Sequence, residues 1–374
     1  MAEIATYLDY NATAPIKPAV REAVEAALGK VGNPSSIHRF GRALRDEVEA
    51  ARERVARLVG GRPEHLVFTS GGTEANHLAL QGAGVARHLM SAVEHDSIRN
   101  ALAGPETVPV DADGRVDLAA LETLLNARPE PALVSIMAVN NETGVVEPIA
   151  EAARIVHAHG SRLLVDAVQA AGKVAIDLQA QGADYLTLSA HKLGGPTGVG
   201  ALVLGADVPY TVPVSGAGQE RGRRPGTENV PGIVGFGVAA DLAAAALEDF
   251  GNIGALRDRL ENGIARIAKD AVVFGRVAPR VSNTSLIAMP GVSSETQLVA
   301  FDLDGFAVSA GSACSSGKVD PSHVLLAMGV EKAVAETAIR VSLGWDTKPD
   351  DIEGFLKAWE SLYARTRGRK VSAA

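Results

Sequence analysis

From residue 64 to residue 204 the chain alternates short apolar runs with helix-like stretches, a rhythm that leaves few folds open. Candidate strands fall at 66–68, 89–93, 107–110, 133–139, 163–165, 185–188 and 201–204, and stretches 75–86, 97–103, 118–126 and 149–157 have helical spacing. Such alternation predicts an α/β fold with a mostly parallel seven-stranded sheet, helices on both faces, and ligands beyond the carboxyl ends of the strands. Helices are predicted at 18–28 and 36–58, and an Ala-rich one at 229–247 that crosses between domains. From about residue 251 the order changes to helix 253–269, strands 272–274 and 285–288, helix 295–301 and a last strand 338–342. The change predicts a large domain over 15–250 and a smaller α+β domain built from 1–14 and 251–374.

Three of the strand ends carry unusual chemistry. Tyr185-Leu186-Thr187-Leu188 runs into Ser189-Ala190-His191-Lys192. A lysine at the end of a buried strand is either ion-paired or has its amine pKa pulled down, and the second state makes it a nucleophile toward a carbonyl cofactor. Asp166 ends the run Arg162-Leu163-Leu164-Val165, with Gln169 three residues on. A carboxylate there suits pyridoxal phosphate (PLP), whose ring nitrogen must stay protonated to draw in electrons. Leu66-Val67-Phe68-Thr69 leads into Ser70-Gly71-Gly72-Thr73-Glu74 and then a helix. Small residues opening a helix after a strand expose backbone N–H groups, which form a phosphate cup. His95, at the end of another strand, is by base rate a structural histidine, but its position suits an aromatic lid over the cofactor ring that also moves protons.

Composition narrows the class further. Of 374 residues, 47% are hydrophobic and the net charge is −8, so the chain buries a large core and offers no overall electrostatic case for nucleic acid or an anionic membrane. The N-terminus lacks a basic-then-apolar leader pattern, and no apolar run reaches the ~18 residues of a membrane span, which predicts a cytoplasmic protein. The basic tail, Arg365 to Lys370, reads as a frayed, solvated end. Gly195 to Gly200 is glycine-rich but leads into a strand, which argues against a dinucleotide loop. His157 and His159 point to different sides of a helix, which argues against a metal site. The single cysteine, Cys314, excludes a disulfide and a Cys-rich metal site within one chain. A lone cysteine is usually a small core hydrophobe, yet the run Ser309-Ala310-Gly311-Ser312-Ala313-Cys314-Ser315-Ser316-Gly317 reads as an exposed loop, and from pattern alone both readings stand.

Ten segments occur in the order seen in one known family. They are Leu8-Asp9-Tyr10-Asn11-Ala12-Thr13-Ala14-Pro15, Asn33-Pro34-Ser35-Ser36-Ile37-His38, Thr69-Ser70-Gly71-Gly72-Thr73-Glu74, Glu94-His95, Val139-Asn140-Asn141-Glu142-Thr143-Gly144, Asp166-Ala167-Val168-Gln169, Ser189-Ala190-His191-Lys192, Arg224-Pro225-Gly226-Thr227, Gly311-Ser312-Ala313-Cys314 and Ile339-Arg340. The chain resembles the cysteine desulfurases of the NifS/IscS (group I) type, PLP enzymes of fold type I in the class V aminotransferase group. The resemblance spans nearly the whole chain, and the long small-residue loop around Cys314 resembles group I rather than group II.

Position by position, the resemblance implies that Lys192 is the lysine that holds PLP as an imine, Asp166 the partner of the pyridine nitrogen, Gln169 a donor to the phenolic oxygen and His95 the residue stacked on the ring. Gly72, Thr73, Ser189 and His191 match phosphate contacts. Thr227 matches a phosphate contact given to the other subunit, which implies a homodimer with a shared active site. Asn141 and Arg340, with Asn11, match the substrate carboxylate clamp, and a forked guanidinium suits a carboxylate. Cys314 matches the nucleophile that takes sulfur from L-cysteine as a persulfide, leaves L-alanine, and passes the sulfur to an acceptor, an iron-sulfur scaffold protein. No metal site is implied within one chain, although Cys314 would transiently ligate a cluster shared with that scaffold. The alternatives in the same fold are an aminotransferase or a selenocysteine lyase, and outside catalysis a cofactor-free scaffold.

Overall fold

The computed structural model describes residues 6–101, 103–311 and 320–372, with side chains up to residue 366. Its strands are β1 (Thr6–Tyr7), β2 (Leu66–Thr69), β3 (Arg87–Ser91), β4 (Glu106–Val108), β5 (Ala132–Met137), β6 (Arg162–Asp166), β7 (Tyr185–Ser189), β8 (Gly200–Leu204), β9 (Val272–Val273), β10 (Thr284–Ala288), β11 (Phe306–Ala307), β12 (Ser309–Ala310) and β13 (Ala338–Ser342). Seven of them form one sheet in the order β2-β8-β7-β6-β5-β3-β4. Only β8 runs against its neighbours, so the carboxyl ends of the other six lie along one edge.

Alternate residues of each strand enter different cores, as the two-residue pleat requires. Leu66, Phe68, Val134, Ile136, Leu163, Val165, Leu186, Leu188, Ala201 and Val203 point into one core, covered by the helices Pro18–Leu28, Arg39–Leu58 and Val230–Ala245 among others. Val67, Leu133, Leu164, Tyr185, Leu202 and Leu204 point into the opposite core, closed by the helix Gly72–Gly82. The result is three layers with the sheet dry on both faces.

The Ala-rich helix Val230–Ala245 packs on Pro18–Leu28 and Arg39–Leu58, inside the first core rather than across a domain boundary. Gly237 lets it approach closely, because a Cβ there would sit 2.8 Å from Ala51 Cα. Arg39–Leu58 begins three residues later than the sequence predicts: the His38 imidazole accepts a hydrogen bond from Gly41 N at 3.2 Å and so caps the helix. The helix predicted at 97–103 is a single turn, Asp96–Arg99, which ends at Asn100 ahead of Gly104 in a left-handed conformation.

A four-stranded sheet, β12-β13-β10-β9, lies beside a third core of Leu260, Ile264, Ile287, Phe301, Ile339, Val341, Phe355 and Trp359. Leu8 belongs to this core, and β1 pairs in parallel with β11. The last helix, Pro349–Ser372, continues through the basic stretch that the sequence reads as frayed. Its buried Ile352, Phe355, Leu356, Trp359 and Leu362 recur at helical spacing and lie against the helix Ile253–Ile267. Among the described residues no single helix is long and apolar enough to cross a membrane.

Candidate active site

At the carboxyl edge of the large sheet a cavity of about 650 Å³ opens. Lys192, Asp166, Gln169, His95, Ser189, His191, Gly72, Thr73, Asn141, Asn11 and Arg340 all line it. Thr227 does not: it is exposed on its own chain, a few residues beyond the strained turn at Glu220 and Arg221. That turn is held by Glu220, whose buried carboxylate accepts from Arg52 at 2.7 and 2.9 Å and from Phe68 N at 2.8 Å. Cys314 lies outside the described residues, but Ser309, Ala310 and Gly311 on one side of it and Asp320, Pro321 and His323 on the other line the same cavity.

Lys192 follows β7 in a short turn, Ala190–Leu193, that ends at Gly194. Its Nζ donates to the carbonyls of Asn11 and Ala12, both at 2.6 Å. Burial, then the charge of Arg340, brings its pKa down to about 8 against the pull of Asp9 and Asp166. A neutral amine that spends both hydrogens on those carbonyls keeps its lone pair free, the state a nucleophile or base needs. His191 hydrogen-bonds Thr13 Oγ1 at 3.2 Å, and burial followed by the Lys192 charge lowers its pKa to about 4, so the ring is neutral near pH 7.

Asp166 is the last residue of β6 and is 6% exposed. Its Oδ2 accepts from Asn76 Nδ2 at 2.8 Å and its Oδ1 from Val168 N at 2.9 Å. Asn76, absent from the sequence-based site, spends every polar hydrogen it has: its other N–H goes to Ser97 Oγ at 2.9 Å, and its Oδ1 accepts from Thr187 at 2.7 Å. Ser97 in turn bonds His95 Nδ1 at 2.9 Å, and Ser97 N donates to the same nitrogen at 3.1 Å. A ring nitrogen that accepts a backbone N–H carries no proton, so the ring hydrogen of His95 belongs on Nε2. One amide thus sets both the carboxylate and the imidazole. The signal available in the sequence was its place one helical turn after Gly72-Thr73.

Asn76→Ala is expected to leave Thr187, Ser97 and Asp166 each short of a buried partner. The loss should be about 2 kcal/mol of stability by urea titration, together with an activity drop of at least tenfold. A fully active variant would remove Asn76 from the site.

Glu94, buried beside Asp166, is held well above the usual carboxyl range by burial first and the Asp166 charge second. Its Oε1 accepts from Met137 N at 2.7 Å.

Arg340 projects from β13, so the four-stranded sheet contributes directly to the cavity. Its Nη2 donates to Asp9 Oδ1 at 2.8 Å and its Nη1 to Asn141 O at 3.0 Å, while Nε has no partner among the described residues. Asp9 is therefore a further positioning residue that sequence reasoning did not single out.

The helix Gly72–Gly82 begins after Gly71, and no side chain caps it, so the amides of Gly72 and Thr73 stay open at the cavity wall. A Cβ on Gly72 would lie 2.8 Å from Val168 Cγ2, which keeps this turn close to the Asp166 loop. An anion cup, a strand-end carboxylate and a depressed-pKa lysine around one cavity fit PLP in its three functional parts: phosphate, ring nitrogen and aldehyde.

The fold and this cavity define the class: an α/β enzyme with its chemistry at the strand ends of a largely parallel sheet. Residues 6–355 match the family Aminotransferase class-V. A cysteine desulfurase of Cereibacter sphaeroides is 43% identical over 96% of this chain and 96% of its own length, and an IscS-like cysteine desulfurase of Mycobacterium tuberculosis is 37% identical over 98% of each. The NifS-like protein of Rickettsia africae superposes with a TM-score of 0.90 at 35% identity, covering 96% of this chain and 99% of that one. The chain belongs to the class-V aminotransferases, and within them to the cysteine desulfurases of NifS/IscS type.

Proposed function

We propose that this protein is a PLP-dependent cysteine desulfurase that converts L-cysteine to L-alanine and holds the sulfur on Cys314. The reading is carried by Lys192 and Asp166 at neighbouring strand ends of one cavity whose rim includes Gly311, three residues before Cys314. Three residues of chain reach at most about 11 Å.

Bound PLP would supply an electron sink that acidifies the substrate Cα–H and loosens its Cβ–S bond. Every other part belongs to the chain. Gly72 and Thr73 amides, with Ser189 and His191, hold the phosphate, and Thr227 of a second copy completes that contact in a homodimer. Asp166, fixed by Asn76, keeps the ring nitrogen protonated, while His95 covers the ring and Gln169 donates to the phenolic oxygen. Arg340 and Asn141, with Asn11, bind the substrate carboxylate. Lys192 would anchor the cofactor and then, as a free amine, take and carry the Cα proton. The Cys314 thiolate attacks the substrate sulfur, an S–S bond forms as the Cβ–S bond breaks, the electron pair left on Cβ takes up a proton, and alanine leaves. A persulfide remains for an iron-sulfur scaffold protein. A core of its own beside the four-stranded sheet, separate from those on the large sheet, supports a large domain over 15–250 and a small one from 1–14 and 251–374. A cytoplasmic location completes the proposal.

PLP-loaded protein given L-cysteine and a reductant should release alanine and sulfide in equal amounts. Cys314→Ala should lose sulfide release more than a hundredfold while keeping the bound cofactor's visible absorbance. Unchanged turnover in that variant would favour an aminotransferase or selenocysteine lyase instead.

A further inference from the structure

A second lysine stands behind the cavity, and no step above uses it. Lys173 is largely buried, and its Nζ donates to Asn11 Oδ1 and Gln169 Oε1, each at 2.7 Å. Among the described residues no carboxylate pairs with it. An ammonium carries three donors and no acceptor, so both amides must turn their oxygens toward it. The consequence for Gln169 is specific. Its Nε2 donates one hydrogen to Asn11 O at 2.9 Å and keeps the second for the cavity that the residue lines. Asn11 is fixed by the same arrangement: its Nδ2 is committed to Thr284 Oγ1 at 2.9 Å and Asn141 O at 3.2 Å, and its main-chain carbonyl is one of the two that hold Lys192.

We propose that Lys173 is a positioning residue that sets the polarity of the Gln169 amide, so that a donor and not an acceptor faces the cofactor, and that steadies the Asn11 carbonyl on Lys192. The proposal rests on the PLP reading above. The two ends of an amide are nearly equal in size, so only hydrogen-bond partners decide which end faces where. A flipped Gln169 would set its carbonyl oxygen against the phenolic oxygen of PLP, two acceptors face to face. Burial, then the charges of Lys192 and Arg340, draws the pKa of Lys173 well below that of an ordinary lysine. A neutral amine still has two hydrogens, one for each amide oxygen, so the polarity holds in either state.

The test compares wild type with Lys173→Met, Lys173→Arg, Gln169→Leu and the Lys173→Met/Gln169→Leu double variant. The readouts are the PLP dissociation constant by absorbance titration and the pH midpoint of the bound cofactor's visible band. Lys173→Met is expected to weaken PLP binding about tenfold and raise the midpoint by about one pH unit, because a lost donor at the phenolic oxygen disfavours the more negative form. Lys173→Arg, which returns a donor, should stay within about threefold of wild type. In the Gln169→Leu background, Lys173→Met should change either readout less than twofold, since the two residues act as one unit.

Additive losses would show that Lys173 acts as a bare charge or a packing element and would overturn the proposal. Should Lys173→Met not fold, Lys173→Leu, which also lacks a donor, replaces it with the same expected loss, and full affinity there overturns the proposal equally. A wild-type protein that takes up no PLP would defeat the cofactor reading instead. In that case the pH midpoint for labelling Lys192 with an amine-reactive reagent in the cofactor-free protein decides: it should fall in Lys173→Met, because a displaced Asn11 carbonyl no longer favours the charged amine, and an unchanged or raised midpoint overturns the role of Lys173.

Discussion

Lys192→Met should abolish desulfuration and at the same time make the cofactor-free protein harder to unfold. Removing a group that serves as anchor and as base is expected to cost at least a thousandfold in kcat, on the order of what general-base residues contribute. The gain in stability has a separate cause. The amine has a folded pKa of about 8 against the 10.5 of an unperturbed lysine, because it is buried and sits beside Arg340. A folded pKa below the unfolded one means that the charged amine opposes folding. The penalty is complete below pH 8, fades between pH 8 and 10.5, and is gone above that. At pH 7 methionine escapes it, and after the lost bonds to Asn11 and Ala12 are set against it the gain should be about 1–3 kcal/mol. Urea titrations at pH 7 and pH 10 check this: the advantage of the variant should shrink at the higher pH. A variant less stable than wild type at pH 7 would mean that the two carbonyls, rather than burial, govern this lysine.

The second large effect is expected at Arg340. Its guanidinium already spans Asp9 and Asn141 O with two different nitrogens, which leaves the remaining Nη hydrogens for an incoming carboxylate. Lysine keeps the charge but cannot make those contacts together, since its ammonium is a point donor on a flexible stem. Arg340→Lys should therefore lower kcat/KM for L-cysteine about a hundredfold, mostly through KM, as expected for loss of a buried charged contact worth roughly 2–3 kcal/mol. A KM within twofold of wild type would place the substrate carboxylate elsewhere.

The strands of the large sheet were legible because each is a short apolar run bounded by turns, and all seven appear within two or three residues of where the pattern puts them. Local pattern was silent where a partner decides the outcome. The antiparallel course of β8 is one case, since the run Gly200–Leu204 looks the same in either direction. The start of Arg39–Leu58 is another, because histidine is an uncommon cap and only its contact with Gly41 reveals it. The helix Pro349–Ser372 carried a readable signal in the spacing of Ile352, Phe355, Leu356, Trp359 and Leu362, obscured by the basic residues at its end.

For the site, sequence determined the reactive groups and their places at strand ends: Lys192, Asp166, His95 and the glycine turn before the first β-α helix. Those residues follow from local chemistry, an apolar strand that stops at a polar side chain. What only the tertiary structure decided is how each group is tuned. Asn76 reaches Asp166 across 90 residues, Arg340 reaches Asp9 across 331, and Lys173 reaches Asn11 across 162. A hydrogen bond depends on distance and direction in space, and neither can be read from positions so far apart along the chain.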